Sequence, residues 1–280
     1  MEANLSRKMW ATLEAYHAVV YFAPEAFTAW EDLGFPHRGM GYFASRSAAM
    51  GKVGSAVVAA TFYNFNPSLV ARFIPAAWDI AEPSRVIDVR IGAGDGALRR
   101  ILADQLDTPE MAWAAEFSVG AAGSGPTNGR PLAAAHAAVP LPDETHLRLW
   151  HALTVLREYR GDGHVHALVS GGLTGLESVV SYAATGELFD ATFYRRSREW
   201  SEEEWAAGED SLRSRGWVDE SGVLTDVGRV GREMIEAQTD RLALAPWEAI
   251  GLDKADQLRA AVRPWSRAIV AAGGFGRSVT

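Results

Sequence analysis

The side chains best suited to chemistry in this chain lie in one run, Trp150-His151-Ala152-Leu153-Thr154-Val155-Leu156-Arg157-Glu158-Tyr159-Arg160-Gly161-Asp162-Gly163-His164. A guanidinium is planar and permanently charged, so Arg157 and Arg160 could clamp a carboxylate or a phosphate. On a helix Trp150, Thr154 and Arg157 share one face, while His151 and Glu158 share another. His164 could serve as a general acid/base, with Asp162 as the group that orients it. Each residue also has a plain structural reading. Arg157 and Arg160 suit the C-terminal end of a helix through its dipole. Asp162 suits the N-cap of a following helix over His164–Val169.

A second concentration is Thr61-Phe62-Tyr63-Asn64-Phe65-Asn66-Pro67, where three aromatics and two Asn fall at a junction of two helices. Asn66 is expected to cap the helix that Pro67 opens. Tyr63, Asn64 and Phe65 could line a pocket for a flat or amide-bearing ligand, joined by Tyr42 and Arg46 from an earlier helix. The alternative is a packed aromatic hinge. Connecting segments carry function more often than core positions do.

Other chemistries find little support. The chain has no cysteine, which removes disulfides, thiolate catalysis and Cys-based zinc sites. His164 and His166 are two apart and point to different sides of a helix, and neither HxxxH nor HExxH occurs, so no metal site is expected. No nucleophile elbow or P-loop is present. The run Val86-Ile87-Asp88-Val89-Arg90-Ile91-Gly92-Ala93-Gly94-Asp95-Gly96 has the look of a strand and glycine-rich turn that bind a nucleotide or methyl-donor cofactor. No alternating strand–helix pattern follows it, so no parallel sheet is available. It reads as a helix with a glycine-rich weak point, and no cofactor is expected.

With 280 residues, 48% hydrophobic, the chain can build one large domain or two ordinary ones. A net charge of −8 argues against general nucleic-acid binding. The N-terminal residues lack a signal-peptide hydrophobic run and no stretch of spanning length is apolar. A cytoplasmic protein without membrane contact is expected.

Apolar residues recur at helical spacing almost everywhere. Residues 120–129 form the most loop-like stretch and the expected boundary between a unit at 1–122 and a unit at 130–272. In the second unit a helix over 145–159, a short helix over 164–169 and a third to about Ala184 give a helix-turn-helix pattern. Arg215-Gly216-Trp217-Val218-Asp219-Glu220-Ser221-Gly222-Val223-Leu224-Thr225 would follow as a two-stranded wing. Glycine-punctuated short helices at 39–60 and 161–180 suggest that both halves share this plan. The fold class is therefore mainly α, two winged helix-turn-helix-like halves with a small β wing.

The segment expected to enter a DNA groove, 172–186, contains no Lys or Arg and one Glu. Phosphate neutralisation dominates DNA affinity, so DNA is not the expected partner. Gly172, Gly175, Leu176, Val179, Val180, Tyr182 and Ala183 make this helix apolar enough to be buried. The one dense basic cluster, Phe193-Tyr194-Arg195-Arg196-Ser197-Arg198, is followed by Glu202-Glu203-Glu204 and reads as a salt-bridged surface.

Four stretches carry a family resemblance: Tyr42-Phe43-Ala44-Ser45-Arg46, Phe62-Tyr63-Asn64-Phe65-Asn66-Pro67, Leu156–His164, and Leu224-Thr225-Asp226-Val227-Gly228-Arg229 with Ile235-Glu236-Ala237-Gln238-Thr239-Asp240. Together they resemble an actinobacterial helix-turn-helix family over nearly the whole chain. The last is similar to the wing and following helix of MarR-type regulators. The resemblance implies a winged-helix fold and, by analogy, transcriptional control.

The reading that reconciles these signals is a helix-turn-helix scaffold used to bind a small molecule between its two halves. The ligand would contact Tyr42, Tyr63, Asn64, Phe65, Trp150 and Thr154, with polar contacts from Arg46, Arg157, Asp162 and His164. One alternative is an enzyme using the same cavity, with His164 and Asp162 as its catalytic pair. Another is a DNA-binding regulator with a basic surface from Arg195, Arg196 and Arg198. The chain could pair as a homodimer.

Overall fold

A computed structural model describes residues 2–187 and 189–273. The chain is mainly α. It opens with α1 (Glu2–Phe22) and α2 (Pro24–Asp32), then α3 (Arg38–Ser47), α4 (Ser55–Phe62), α5 (Pro67–Phe73), α6 (Ala77–Ile80), α7 (Pro83–Leu102), α8 (Pro109–Ala122) and α9 (Pro131–Ala137). The second part contains α10 (Thr145–Ser170), α11 (Gly175–Ala183), α12 (Ala191–Ser197), α13 (Glu202–Ser214), α14 (Asp226–Leu242), α15 (Ala245–Ile250) and α16 (Leu252–Ala271). Proline at the first turn starts α2, α5, α7, α8 and α9, where its missing N–H costs nothing. Asn66 caps α5 as expected, and Thr108 caps α8. Thr174 with Glu177 and Ser201 with Glu204 form capping boxes at α11 and α13. The glycine-rich run at 86–96 lies inside α7, without a break.

Two apolar clusters organise the packing. The larger gathers Met9, Tyr16, Trp30, Phe43, Leu98, Met111, Leu149 and Trp150, together with Trp247, Leu258, Val262 and Trp265 from the last two helices. The smaller holds Leu168, Leu173, Val179, Val180, Tyr194, Trp205, Leu212, Val218, Leu224 and Ile235. Helix α10 joins them, its Leu149–Leu156 stretch in the first and its Ala167–Leu168 end in the second.

That helix corrects the sequence reading. The expected break between 159 and 164 does not occur, and residues 145–170 form one helix. A glycine inside a helix costs about 1 kcal/mol relative to alanine, a penalty tertiary packing can outweigh. Packing also requires Gly163: a Cβ there would fall 2.8 Å from Arg130 Nη1. Arg130 uses that space to donate to the carbonyls of Tyr159 and Leu242. Arg157 and Arg160 are consequently mid-helix, so the dipole does not explain them.

The β wing is also corrected. Among the described residues it is one isolated antiparallel bridge, Val218 to Leu224. The Asp219 carboxylate accepts from Ser221 N (2.8 Å), Ser221 Oγ (2.6 Å) and Val223 N (3.1 Å), which turns the chain back after a single pair. Thr225 then caps α14, leaving no length for a ladder.

The helix leading into this turn is α13, capped by Ser201. Helix α11 is instead buried along Glu177–Ser181 in the smaller cluster, in keeping with its apolar composition. Helix α13 carries Glu202, Glu203, Glu204, Glu209 and Asp210, most of them exposed, and the turn adds exposed Asp219 and Glu220. No described helix is long and apolar enough to cross a membrane.

Candidate functional site

A cavity of about 320 Å³ lies where α10 passes between the two clusters. Its wall draws Tyr42 and Arg46 from α3, Thr61 to Phe65 from the end of α4 and the following junction, and Arg157 to Leu168 from α10. Ser178, Val179 and Tyr182 come from α11, Tyr194 and Arg198 from α12 and its end, and Arg232 and Glu236 from α14.

The junction after α4 is held by contacts from Tyr63, Asn64 and Asn66. Tyr63 has φ +63°, a conformation a side chain rarely adopts. Its hydroxyl donates to the Leu173 carbonyl. Its own carbonyl sits 2.0 Å from where a Cβ of residue 175 would be, so Gly175 is what lets α11 approach. Asn64 accepts from Arg198 Nε (3.3 Å) through its side chain and from Trp200 Nε1 (3.1 Å) through its carbonyl. Asn66 reaches Glu204 across the same seam, at 3.1 and 3.2 Å to the two carboxylate oxygens.

Five guanidiniums and three carboxyl groups face the cavity, and their pairing fixes its electrostatics. Glu158 is fully buried. It accepts from Arg46 at both ends, Nε to Oε1 at 2.9 Å and Nη2 to Oε2 at 2.8 Å, and from Arg157 Nη1 at 2.9 Å. Burial alone would raise the Glu158 pKa; the two cations overcome it and hold the carboxyl well below its usual range. Arg157 Nε also reaches Glu14 at 3.4 Å. Arg160 bonds Asp240 (2.8 Å) and Glu236 (3.2 Å), and Arg232 lies 3.5 Å from Glu236. Arg198 has no carboxylate within ion-pair distance among the described residues. It bonds Asn64 and, at 3.2 Å, the Ser197 hydroxyl, and it stacks 4.4 Å from the Phe65 ring centre. Burial pushes the Arg198 pKa down, as it does for Arg232.

His164 Nδ1 lies 2.9 Å from Thr239 Oγ1. The Thr239 hydroxyl gives its proton to the Ile235 carbonyl at 2.8 Å. The hydroxyl therefore accepts from His164 Nδ1–H, which leaves Nε2 as an unshared lone pair. Burial first, then the charges of Arg232, Arg160 and Arg157, push the His164 pKa down to about 3. The ring is neutral at pH 7. A base that weak takes up protons poorly, but its nitrogen accepts a hydrogen bond.

Of the residues singled out from sequence, Tyr42, Arg46, Tyr63, Asn64, Phe65, Arg157, Asp162 and His164 all reach this one cavity. Trp150 and Thr154 do not. Trp150 is fully buried and donates from Nε1 to the His17 carbonyl at 3.0 Å, and Thr154 pairs with His17 Nδ1 at 3.0 Å. Asp162 and His164 do not touch, because residues two apart on a helix diverge. Nor does Asp162 cap its own helix. Its Oδ2 accepts from Leu132 N (3.1 Å) and Ala133 N (2.9 Å), capping α9 from a distance of thirty residues. Burial, opposed by those two N–H groups, raises its pKa to about 6.

A family model described as a helix-turn-helix family matches residues 6–276. The chain belongs to this helix-turn-helix family. No curated protein and no solved structure matches it significantly. In this family member the helix preceding the turn is acid-rich, and the cavity is where charged and aromatic groups converge.

Sequence reasoning missed Tyr194, Arg198, Arg232 and Glu236 as cavity residues. One signal was available. Ala60-Thr61-Phe62-Tyr63 recurs as Ala191-Thr192-Phe193-Tyr194, and both tyrosines face the cavity. The basic cluster at 193–198 is also only partly the expected surface: Arg195 pairs with Glu202 (2.9 Å), whereas Arg198 turns inward.

Proposed function

We propose that this protein binds a small molecule in the cavity between its two clusters, on a helix-turn-helix scaffold not used to read DNA. The observation that carries the reading is a partly open cavity of about 320 Å³ lined by aromatic rings and guanidiniums, within the range of small-molecule sites. Eight of the residues picked for ligand chemistry on sequence grounds line it. The acid-rich α13 supports the negative half of the reading, since a helix with five carboxylates repels phosphate.

Thermal-shift screening of a metabolite collection, followed by calorimetry on the hits, tests the binding. Ser178→Phe, which would fill the cavity from α11, is the control. Hits should stabilise the wild type and lose their effect on the variant. Hits that stabilise both equally, or no hits at all, would remove the cavity from the account. A mobility shift of genomic fragments by the wild type at low salt would instead support the DNA-binding alternative, in the MarR manner.

The unshared Nε2 of His164 favours one narrower alternative, an enzyme acting on the bound molecule. In that scheme Thr239, rather than Asp162, orients the imidazole. Turnover that survives His164→Ala would remove His164 from any such scheme.

A further inference from the structure

Each guanidinium on the cavity wall except Arg198 has a carboxylate within 4 Å. Arg46 and Arg157 are matched by Glu158 and Glu14, and Arg160 and Arg232 by Asp240 and Glu236. The third cavity carboxyl, Asp162, is turned to the N-terminus of α9. Arg198 keeps two neutral acceptors, Asn64 and Ser197, for a group with five N–H donors. A cation partly withdrawn from water, as Arg198 is, loses hydration that an anion can replace.

Among the five guanidiniums of the cavity wall, the half-buried Arg198 is thus the one with no carboxylate beside it among the described residues, and it faces space with room for a ligand. Beside it lie flat surfaces: the Phe65 ring beneath the guanidinium, and Tyr194 with Tyr182, whose rings meet edge to face at 5.5 Å. Resting on the ligand-binding reading above, we infer that the ligand is an organic anion. Its carboxylate or phosphate pairs with Arg198, and its flat body lies against Phe65, Tyr182 and Tyr194. A guanidinium presents parallel N–H groups to either acid, which makes both chemistries acceptable at this position.

Isothermal calorimetry with three probes tests this: naphthalene-2-carboxylate, phenyl phosphate and the neutral naphthalene-2-carboxamide. Wild type, Arg198→Gln and the charge-keeping Arg198→Lys are compared, with circular dichroism to confirm folding. The wild type should bind at least one acid ten-fold or more tighter than the amide. Arg198→Gln should lose that preference while its amide affinity stays, and Arg198→Lys should restore part of it. A carboxylate bound without the phosphate, or the reverse, identifies which acid the site takes. If acids and amide bind the wild type equally, or Arg198→Gln binds acids undiminished, the anion assignment is overturned while the cavity remains a binding site. If none of the three binds, cavity and anion assignment fall together.

Discussion

Arg46 and Glu158, separated by 112 positions in sequence, meet end to end: Nε to Oε1 at 2.9 Å and Nη2 to Oε2 at 2.8 Å, both buried. This contact ties α3 to α10 at the edge of the cavity. Removing one partner of a buried pair strands the other charge, at about 3–5 kcal/mol. Glu158→Gln should therefore lower stability by about that amount in urea titrations. The double variant Arg46→Met/Glu158→Leu should recover most of the loss, because two apolar groups leave no unmatched charge. A double variant no better than the single one would show that the pair adds stability beyond mutual neutralisation.

Gly175 and Tyr63 give a second test. Gly175→Ala would put a methyl group 2.0 Å from the Tyr63 carbonyl oxygen, against backbone that has little room to move. Overpacking of this kind costs about 1–3 kcal/mol or more, and here it pushes α11 off the aromatic junction. Probe binding in the cavity should weaken together with stability. Tyr63→Phe, which removes only the hydrogen bond to Leu173, should cost about 1 kcal/mol. A Gly175→Ala protein as stable as wild type would contradict the close approach.

Asp162 acts on α9, so its substitution should be felt there. Asp162→Ala removes the acceptor of two helix N–H groups and should cost about 1–2 kcal/mol. Asp162→Asn keeps an acceptor and sheds a charge whose burial raises the carboxyl pKa to about 6, so it should be markedly milder. Hydrogen exchange at Leu132 and Ala133 reads the effect directly. Unchanged protection at both amides in the Ala variant would rule out the cap.

The histidines set the acid response. Burial holds His136 and His164 at about 3 and His151 at about 4, against 6.5 when free, and His17 well below 6.5. Between those values the unfolded chain binds more protons than the folded one, so stability rises with pH. The stability is fully present above about 6.5 and is lost as the pH falls toward 4. Asp162 works in the opposite sense, because its folded pKa of about 6 lies above its free value of 3.8. One carboxyl against four imidazoles leaves the net direction unchanged. Melting temperatures should fall steadily from pH 7 to pH 4.5, before most carboxylates titrate. A flat profile over that interval would mean that these rings are not buried neutral.

Much of the local structure was legible in the sequence. Proline at first turns, Asn66 before Pro67 and Thr108 before Pro109 mark helix starts because their effects act within one turn. The mainly α class followed from apolar periodicity, and the burial of α11 from its lack of charge. The break expected at Gly161–Gly163 was not there, because local propensity is weak beside the packing of a helix mostly buried from Leu147 to Gly163. The acidic helix capped by Ser201 and leading into the 215–225 turn was also written in the chain, because cap and first-turn charges act locally.

Sequence alone placed Tyr63, Asn64, Phe65, Arg157, Asp162 and His164 among the residues fit for ligand chemistry, since residue type limits what a side chain can do. It could not assign their partners. Thr239 for His164, α9 for Asp162 and Glu158 for Arg46 are contacts over 29 to 112 positions, set by how helices cross. The absence of any acid beside Arg198 is likewise a property of the assembled cavity. A count of charges along the chain shows an acidic protein; only the tertiary structure decides that, of the five guanidiniums on the cavity wall, Arg198 alone has no carboxylate beside it among the described residues.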